Sequence, residues 1–125
     1  MQFDKDLNSE KSELFLDVRE YLTNEIEIYV DKVIEKYSDN ITSLFCKEFN
    51  SGFCYIRVKD NYVHIGWFNG SKIEDKFEFL FGNGKQIRGQ KINILDEECK
   101  KSISYYVEQS YIRLVEKDAI KSLRK

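Results

Sequence analysis

Apolar residues recur at steps of three or four along the first third of the chain, at Phe15, Val18, Leu22, Ile26, Tyr29 and Val33. That spacing places them on one face of an α-helix. The polar run at residues 23–25 can interrupt the helix, because Asn24 is a favourable cap for the start of a second one. We therefore predict two N-terminal helices, near residues 9–23 and 25–37.

The pattern changes to alternation in the middle of the chain, where residues 53–58 and 62–68 are rich in β-branched and aromatic side chains. Two such runs around a short polar turn predict a β-hairpin. A two-residue turn at Asp60 and Asn61 puts three apolar pairs on one face of the hairpin: Val58 with Val63, Ile56 with Ile65, and Cys54 with Trp67. The other face then carries Arg57 with His64, Tyr55 with Gly66, and Phe53 with Phe68.

Two more strands are expected, near residues 43–49 and 86–94. Asp96 can cap a long C-terminal helix, since the following acidic residues suit the positive end of a helix dipole. The order of elements predicts an α+β fold with two N-terminal helices, an antiparallel sheet of three to four strands, and a long C-terminal helix packed on the sheet. A chain of 125 residues is expected to form a single domain over residues 1–125.

Composition narrows the classes of partner. No apolar run approaches the roughly 20 residues that span a bilayer, and the first residues carry no apolar signal core, so we expect no membrane partner. Three scattered cysteines suit a reducing compartment and predict a cytoplasmic location.

The charged residues are unevenly distributed: residues 1–40 carry eleven acids and five bases, whereas residues 84–125 carry ten bases and six acids. A sequence pI near 5.5 argues against a nucleic-acid partner, since such domains usually lie above about 9.

One segment combines most of the glycines with a series of cations. Its fixed positions are Gly66, Trp67, Gly70, Asp75, Leu80, Gly82, Gly84, Lys85, Arg88 and Lys91. This spacing resembles the YdhG-like domain, which is found in small bacterial proteins. The resemblance implies the fold predicted above, and some members of that family are described as iron chaperones likened to frataxin.

The residues of this segment also predict a candidate anion site. Main-chain N–H groups around Gly82 and Gly84 can surround an anion, with Lys85 and Arg88 completing a phosphate or carboxylate site. The full candidate set is Trp67, Asp75, Gly82, Gly84, Lys85, Arg88 and Lys91. The alternative is a tight loop that enters an edge strand, with Arg88 paired to Asp75.

A second candidate site is a weak metal site on the acidic N-terminal segment, at Glu13, Asp17, Glu20, Glu27 and Asp31. Carboxylates without His or Cys suit hard cations such as Ca²⁺, Mg²⁺ or iron. The resemblance to a family with proposed iron chaperones adds iron as the possible cofactor. The alternative is the solvated face of amphipathic helices.

Aromatic residues predict a third surface. Phe53, Tyr55, Tyr62 and Phe68 fall on the hairpin face opposite the predicted core, together with His64. If helices cover only one face of the sheet, these rings form an exposed platform; if helices cover both, they form a second core.

The resulting hypothesis is a cytosolic protein that binds a small anionic ligand or a metal ion. Whether it is also an enzyme is left open, and a non-enzymatic role is favoured. The alternative is a protein-interaction module or a homodimer that uses the aromatic face, so the chain is expected to be a monomer or a homodimer.

Overall fold

The computed structural model describes residues 1–124 of the chain. Its helices and strands, in chain order, are α1 (Gln2–Leu7), α2 (Ser12–Ile26), β1 (Ile34–Tyr37), β2 (Thr42–Phe45), β3 (Cys54–Lys59), β4 (Tyr62–Trp67), a 3₁₀ helix (Gly70–Lys72), β5 (Leu80–Phe81), β6 (Arg88–Ile92) and α3 (Glu97–Leu123). None of the helices in this part of the chain is long and apolar enough to cross a membrane.

The strands form one antiparallel sheet in the order β1-β2-β3-β4-β6-β5. The register of the central hairpin is the predicted one, with Val58 opposite Val63 and Cys54 opposite Trp67. The α+β class, the number of N-terminal helices and the long C-terminal helix are confirmed, although the two N-terminal helices do not lie at the predicted positions. The described residues form six strands, however, and not three or four.

The prediction of a second helix near residues 25–37 is wrong. Helix α2 ends at Ile26, and Ile34–Tyr37 pairs with β2 as an edge strand. The helical spacing of apolar residues continues through Val30 and Val33 because both side chains are buried. They lie in a turn, however, and not in a helix. The Glu27 carboxylate accepts a hydrogen bond from the Val33 main-chain N–H at 2.9 Å, which holds this turn.

The other boundaries differ less. A short helix, α1, precedes the predicted start of the first helix. The strands predicted near 43–49 and 86–94 are shorter, and they end where the chain turns. Asp96 caps α3 as predicted, since its Oδ1 accepts from the Cys99 main-chain N–H at 2.9 Å.

The core lies between the sheet and the three helices. Apolar residues of α2 and α3 pack on the inner sheet face. The largest fully buried side chains of this core are Phe15, Leu22, Ile26, Leu44, Phe53, Ile56, Ile65, Trp67, Ile92, Ile103, Tyr106 and Leu114. A buried polar bridge joins the layers, because Trp67 Nε1 donates to Gln90 Oε1 at 3.0 Å and Gln90 Nε2 donates to Ser102 Oγ at 2.8 Å. Since Trp67 and Gln90 lie on strands and Ser102 on α3, this bridge fixes α3 over the sheet.

Helix α1 is held to the sheet by one buried carboxylate. Asp6 is fully buried, and its Oδ1 accepts from the Val58 main-chain N–H at 2.9 Å and from Gln2 Nε2 at 2.8 Å. Burial raises the pKa of Asp6 above its ordinary value, against the opposing effect of these hydrogen bonds. The folded protein therefore binds a proton at Asp6 more tightly than the unfolded chain does.

The Asp6 contact predicts different behaviour for two substitutions. Asp6→Ala leaves the Val58 N–H without an acceptor and is expected to lower the free energy of unfolding by about 1–3 kcal/mol in urea titrations. Asp6→Asn keeps an acceptor oxygen and is expected to cost less. Because the native pKa is raised, wild-type stability relative to Asp6→Asn is expected to be highest below the unfolded pKa and to fall as the pH rises through the native pKa. Equal losses for the two variants at every pH would contradict this role.

Candidate functional site

The most buried members of the predicted anion site support the fold. Trp67 lies in the core, as described above. Asp75 is half-buried, and its carboxylate accepts from the Leu80 main-chain N–H at 3.1 Å and from the Tyr106 hydroxyl. Both oxygens of this carboxylate therefore have partners within the protein.

Arg88 also bonds within the protein. Its guanidinium donates to the main-chain carbonyls of Gly84 and, at 3.0 Å, of Ile87, so the predicted pairing of Arg88 with Asp75 is wrong. Gly82 has a φ of +112°, which only glycine adopts readily, and it lets the loop turn back toward β6. The segment from Gly82 to Arg88 is thus a loop closed by its own arginine.

The predicted series of cations does not form one surface. Residues three apart on a strand point to opposite faces. Arg88 pairs in register with Trp67 and belongs to the helix-covered face, whereas Lys91 pairs with His64 and belongs to the other face. Lys85 lies in the exposed loop, where its carbonyl accepts from Ser71 Oγ at 2.7 Å. The anion site at this loop remains a prediction.

The acidic N-terminal residues are also separated. Glu13, Asp17 and Glu20 lie on α2. Glu27, in contrast, holds the turn after this helix, and the Asp31 carboxylate lies 3.9 Å from Lys47 Nζ. Within residues 1–124, the structure shows no group of three or more His, Cys, Asp or Glu residues that could hold a metal ion.

Within residues 1–124, one face of the sheet carries no helix. Helices α1 and α2 contact β3, α2 also contacts β4, and all three helices pack on the face that holds Ile56, Ile65 and Trp67. We call the opposite side the uncovered face; its ring-bearing residues are Phe45, Tyr55, Tyr62, His64, Phe68 and Phe81. Phe53 was predicted here, but it is fully buried in the core, because the chain enters β3 only at Cys54.

The rings of the uncovered face form a continuous series, which we call the ring row, running Phe45, Phe68, Tyr55, His64 and Phe81. Successive ring centroids are 6.0, 5.9, 5.4 and 5.6 Å apart. Tyr62 flanks the row at 6.4 Å from His64. Phe81 is 41% exposed, whereas His64 is almost fully buried beneath its neighbours. The row therefore crosses the sheet from β2 to β5.

Two glycines let these rings lie against the sheet. A Cβ added at Gly66 would fall 2.0 Å from the Tyr55 ring, and one added at Gly89 would fall 2.5 Å from the Phe81 ring and 2.7 Å from His64 Nε2. Tyr55, Phe81 and His64 thus occupy the space that side chains at these strand positions would fill. Gly66, a position of the motif, and Gly89, which is not one, together create the flat aromatic surface.

The charged strand positions of the uncovered face are all cationic. They are Lys36 on β1, Arg57 and Lys59 on β3, and Lys91 on β6, and no acid occupies a strand position on this face within residues 1–124. Two of these cations lie over rings, with Lys36 Nζ 4.1 Å from the Phe45 centroid and Lys91 Nζ 4.9 Å from that of Tyr62. An acid also lies beside the face: Glu78 lines a groove with Tyr62, Phe81 and Lys91.

His64 is the titratable group at the centre of the ring row. Burial, and then the charges of Arg57 and Lys59, lower the pKa of His64 to about 4. Arg57 Nε donates to His64 Nδ1 at 3.5 Å, a contact that an imidazolium would not accept. His64 is thus neutral at pH 7. Cys54, the nearest thiol in sequence, is buried on the opposite face as predicted.

The lowered pKa of His64 predicts a pH dependence of stability. The unfolded chain binds a proton near pH 6.5 and the native protein only near pH 4, so native stability falls as the pH falls through this window. Between pH 7 and 4.5 the expected loss is about 2 kcal/mol relative to the His64→Gln variant. Urea titrations of both proteins check this, and parallel pH profiles would contradict the burial of a neutral imidazole.

Comparison of the chain with protein-family models, curated proteins and solved structures found no match. Membership of the YdhG-like family, predicted from the glycine motif, therefore stays a prediction. The candidate site must be judged on its own geometry.

Proposed function

We propose that the protein is a non-catalytic binding module that takes up single-stranded nucleic acid on the uncovered face. The observation that carries this proposal is the ring row crossing the sheet, flanked by cations. A cytoplasmic location is part of the proposal, and the three free thiols are compatible with it.

The chemistry of the face matches that of an unpaired strand. Bases stack on aromatic side chains regardless of their sequence, and each stacked base contributes about 1–3 kcal/mol. Phosphates bind the surrounding cations through charge. Sheets with exposed aromatic residues are a recurrent way of binding single strands. The ring row offers several stacking positions in series, which favours a polymer with repeated planar groups over one small ligand.

The low pI of the whole chain led to the expectation of no nucleic-acid partner, and the structure gives a reason to revise that expectation. The acids of the N-terminal third include Glu13, Asp17 and Glu20, which lie on α2 and hence on the helical side. A ligand responds to the local field of the surface that it meets. On the uncovered face that field comes from Lys36, Arg57, Lys59 and Lys91.

The same charges disfavour a second copy of the chain as the occupant. A two-fold dimer places the same patch of both subunits together. Four cations would then face four cations, and like charges across an interface are unfavourable. An anionic partner meets no such repulsion.

Binding of a fluorescent single strand tests the proposal. We expect a labelled oligothymidylate of about 12 nucleotides to raise fluorescence anisotropy on binding, with weaker binding at higher salt. Replacing both Phe45 and Phe81 by Leu removes two rings but keeps apolar bulk, so the affinity is expected to fall at least about tenfold. Lys91→Gln is expected to weaken binding and to lower its salt dependence.

Matched variants separate this surface from a general charge effect. Lys101→Gln removes a cation from the exposed side of α3 and is expected to leave the affinity unchanged. Glu78→Gln removes the acid beside Phe81 and is expected to strengthen binding. Absence of binding by the wild type at low salt would overturn the proposal, as would an equal effect of Lys91→Gln and Lys101→Gln. Concentration-dependent dimerisation blocked by the Phe45/Phe81 double variant would assign the face to a second copy instead.

A further inference from the structure

A second group of cations lies on the helical side of the molecule, between the 3₁₀ helix and the C-terminal half of α3. Lys117 Nζ donates to Asn69 Oδ1 at 2.6 Å, which joins α3 to the residue that precedes the 3₁₀ helix. Arg113 lies one helical turn before Lys117. Lys72, at the end of the 3₁₀ helix, and Arg113 are both near enough to Lys117 for their charges to lower its pKa, after the larger effect of burial.

The unsatisfied polar atoms at this place are donors. Asn69 is 2% exposed, and its Nδ2 has no hydrogen-bond partner within residues 1–124. The Nε of Arg113 is buried and also finds no partner among those residues. A buried donor left unpaired is costly, so such atoms call for an acceptor.

Among the described residues, no carboxylate forms a direct ion pair with this group. Among residues 1–124, the ion pairs within 4.0 Å include none of Lys72, Arg113 and Lys117. Asp118 borders the adjoining cleft, which is also lined by Phe49, Ser51, Leu114 and Lys121, but it makes no ion pair within that distance. Three cations with two unpaired donors form an incomplete arrangement that a small anion would complete.

We infer that Asn69, Lys72, Arg113 and Lys117 form a binding site for a small oxyanion of the phosphate class. Arg113 and the two lysines supply the positive charge, and the Arg113 guanidinium also supplies forked N–H groups that donate hydrogen bonds to phosphate oxygens. The site lies beside Gly70, at the start of the glycine-rich segment from which the sequence predicted an anion site. It is independent of the uncovered face, since α3 packs on the opposite side of the sheet.

Thermal unfolding with inorganic phosphate tests this site. Against potassium chloride of equal ionic strength, phosphate at about 20 mM is expected to raise the wild-type Tm by on the order of 3–5 °C. Lys117→Met and Arg113→Met are expected to lose most of the shift. Lys101→Met, on the same helix, is expected to keep it. Lys72→Gln changes an exposed residue and is expected to lose part of the shift, which keeps the test informative if a variant of the partly buried Arg113 or Lys117 does not fold.

Two outcomes overturn the inference. One is a wild type without a phosphate-specific shift, and the other is a shift that persists in Lys117→Met and Arg113→Met but disappears in Lys85→Met, which would place the anion in the glycine loop. Oligonucleotide binding distinguishes this site from the uncovered face. The Lys117→Met variant is expected to bind the labelled single strand with unchanged affinity. If Lys117→Met lost both the phosphate shift and binding of the labelled single strand, the cluster would be part of the nucleic-acid surface, which would overturn its independence from the uncovered face.

Discussion

The placement of all three helices on one face of the sheet is the constraint on which the rest of the structure depends. It follows from where the chain puts its large apolar side chains: the inner positions of β3 and β4 are Cys54, Ile56, Ile65 and Trp67, and α2 and α3 close over them. The Trp67–Gln90–Ser102 bridge holds α3 in that position. The other face must then be stabilised by strand residues alone.

That second face is stabilised by rings lying against the backbone. Gly66 and Gly89 remove the side chains that would stand at two neighbouring strand positions, and Tyr55, His64 and Phe81 fill the space. His64 loses its positive charge in the process, because it is buried between rings and beside Arg57. The result is a single layer of aromatic rings on the sheet, and the charged residues on the strands of this face are all cations. Contiguous exposed apolar patches of this kind are typical of interaction surfaces.

Much of the fold was predictable because its strongest signals are local. The alternation around Asp60 and Asn61 predicted the central hairpin in its correct register, and Asp96 predicted the start of α3. The error at residues 25–37 arose where a helical spacing of apolar residues continued through a turn into an edge strand. Strands β1 and β5 are four and two residues long, too short to carry a periodicity of their own.

The candidate site was less predictable, because it depends on contacts between distant segments. The aromatic face was predicted from Tyr55, Tyr62 and Phe68, but Phe45 and Phe81 join it only through β2 and β5 pairing. Arg88 and Lys91 were expected to act together, and a strand places them on opposite faces. The cluster around Lys117 joins residues 48 positions apart, and no sequence spacing indicated it.

Binding of a single nucleic-acid strand to the uncovered face can be observed residue by residue, by amide chemical-shift mapping while ¹⁵N-labelled protein is titrated with oligothymidylate. We expect the perturbed amides to cluster at Phe45, Tyr55, His64, Phe81 and Lys91, and the chemical shifts of α2 and of the C-terminal half of α3 to stay unchanged. Saturable shifts confined to the helices, or no shifts at low salt, would contradict this expectation.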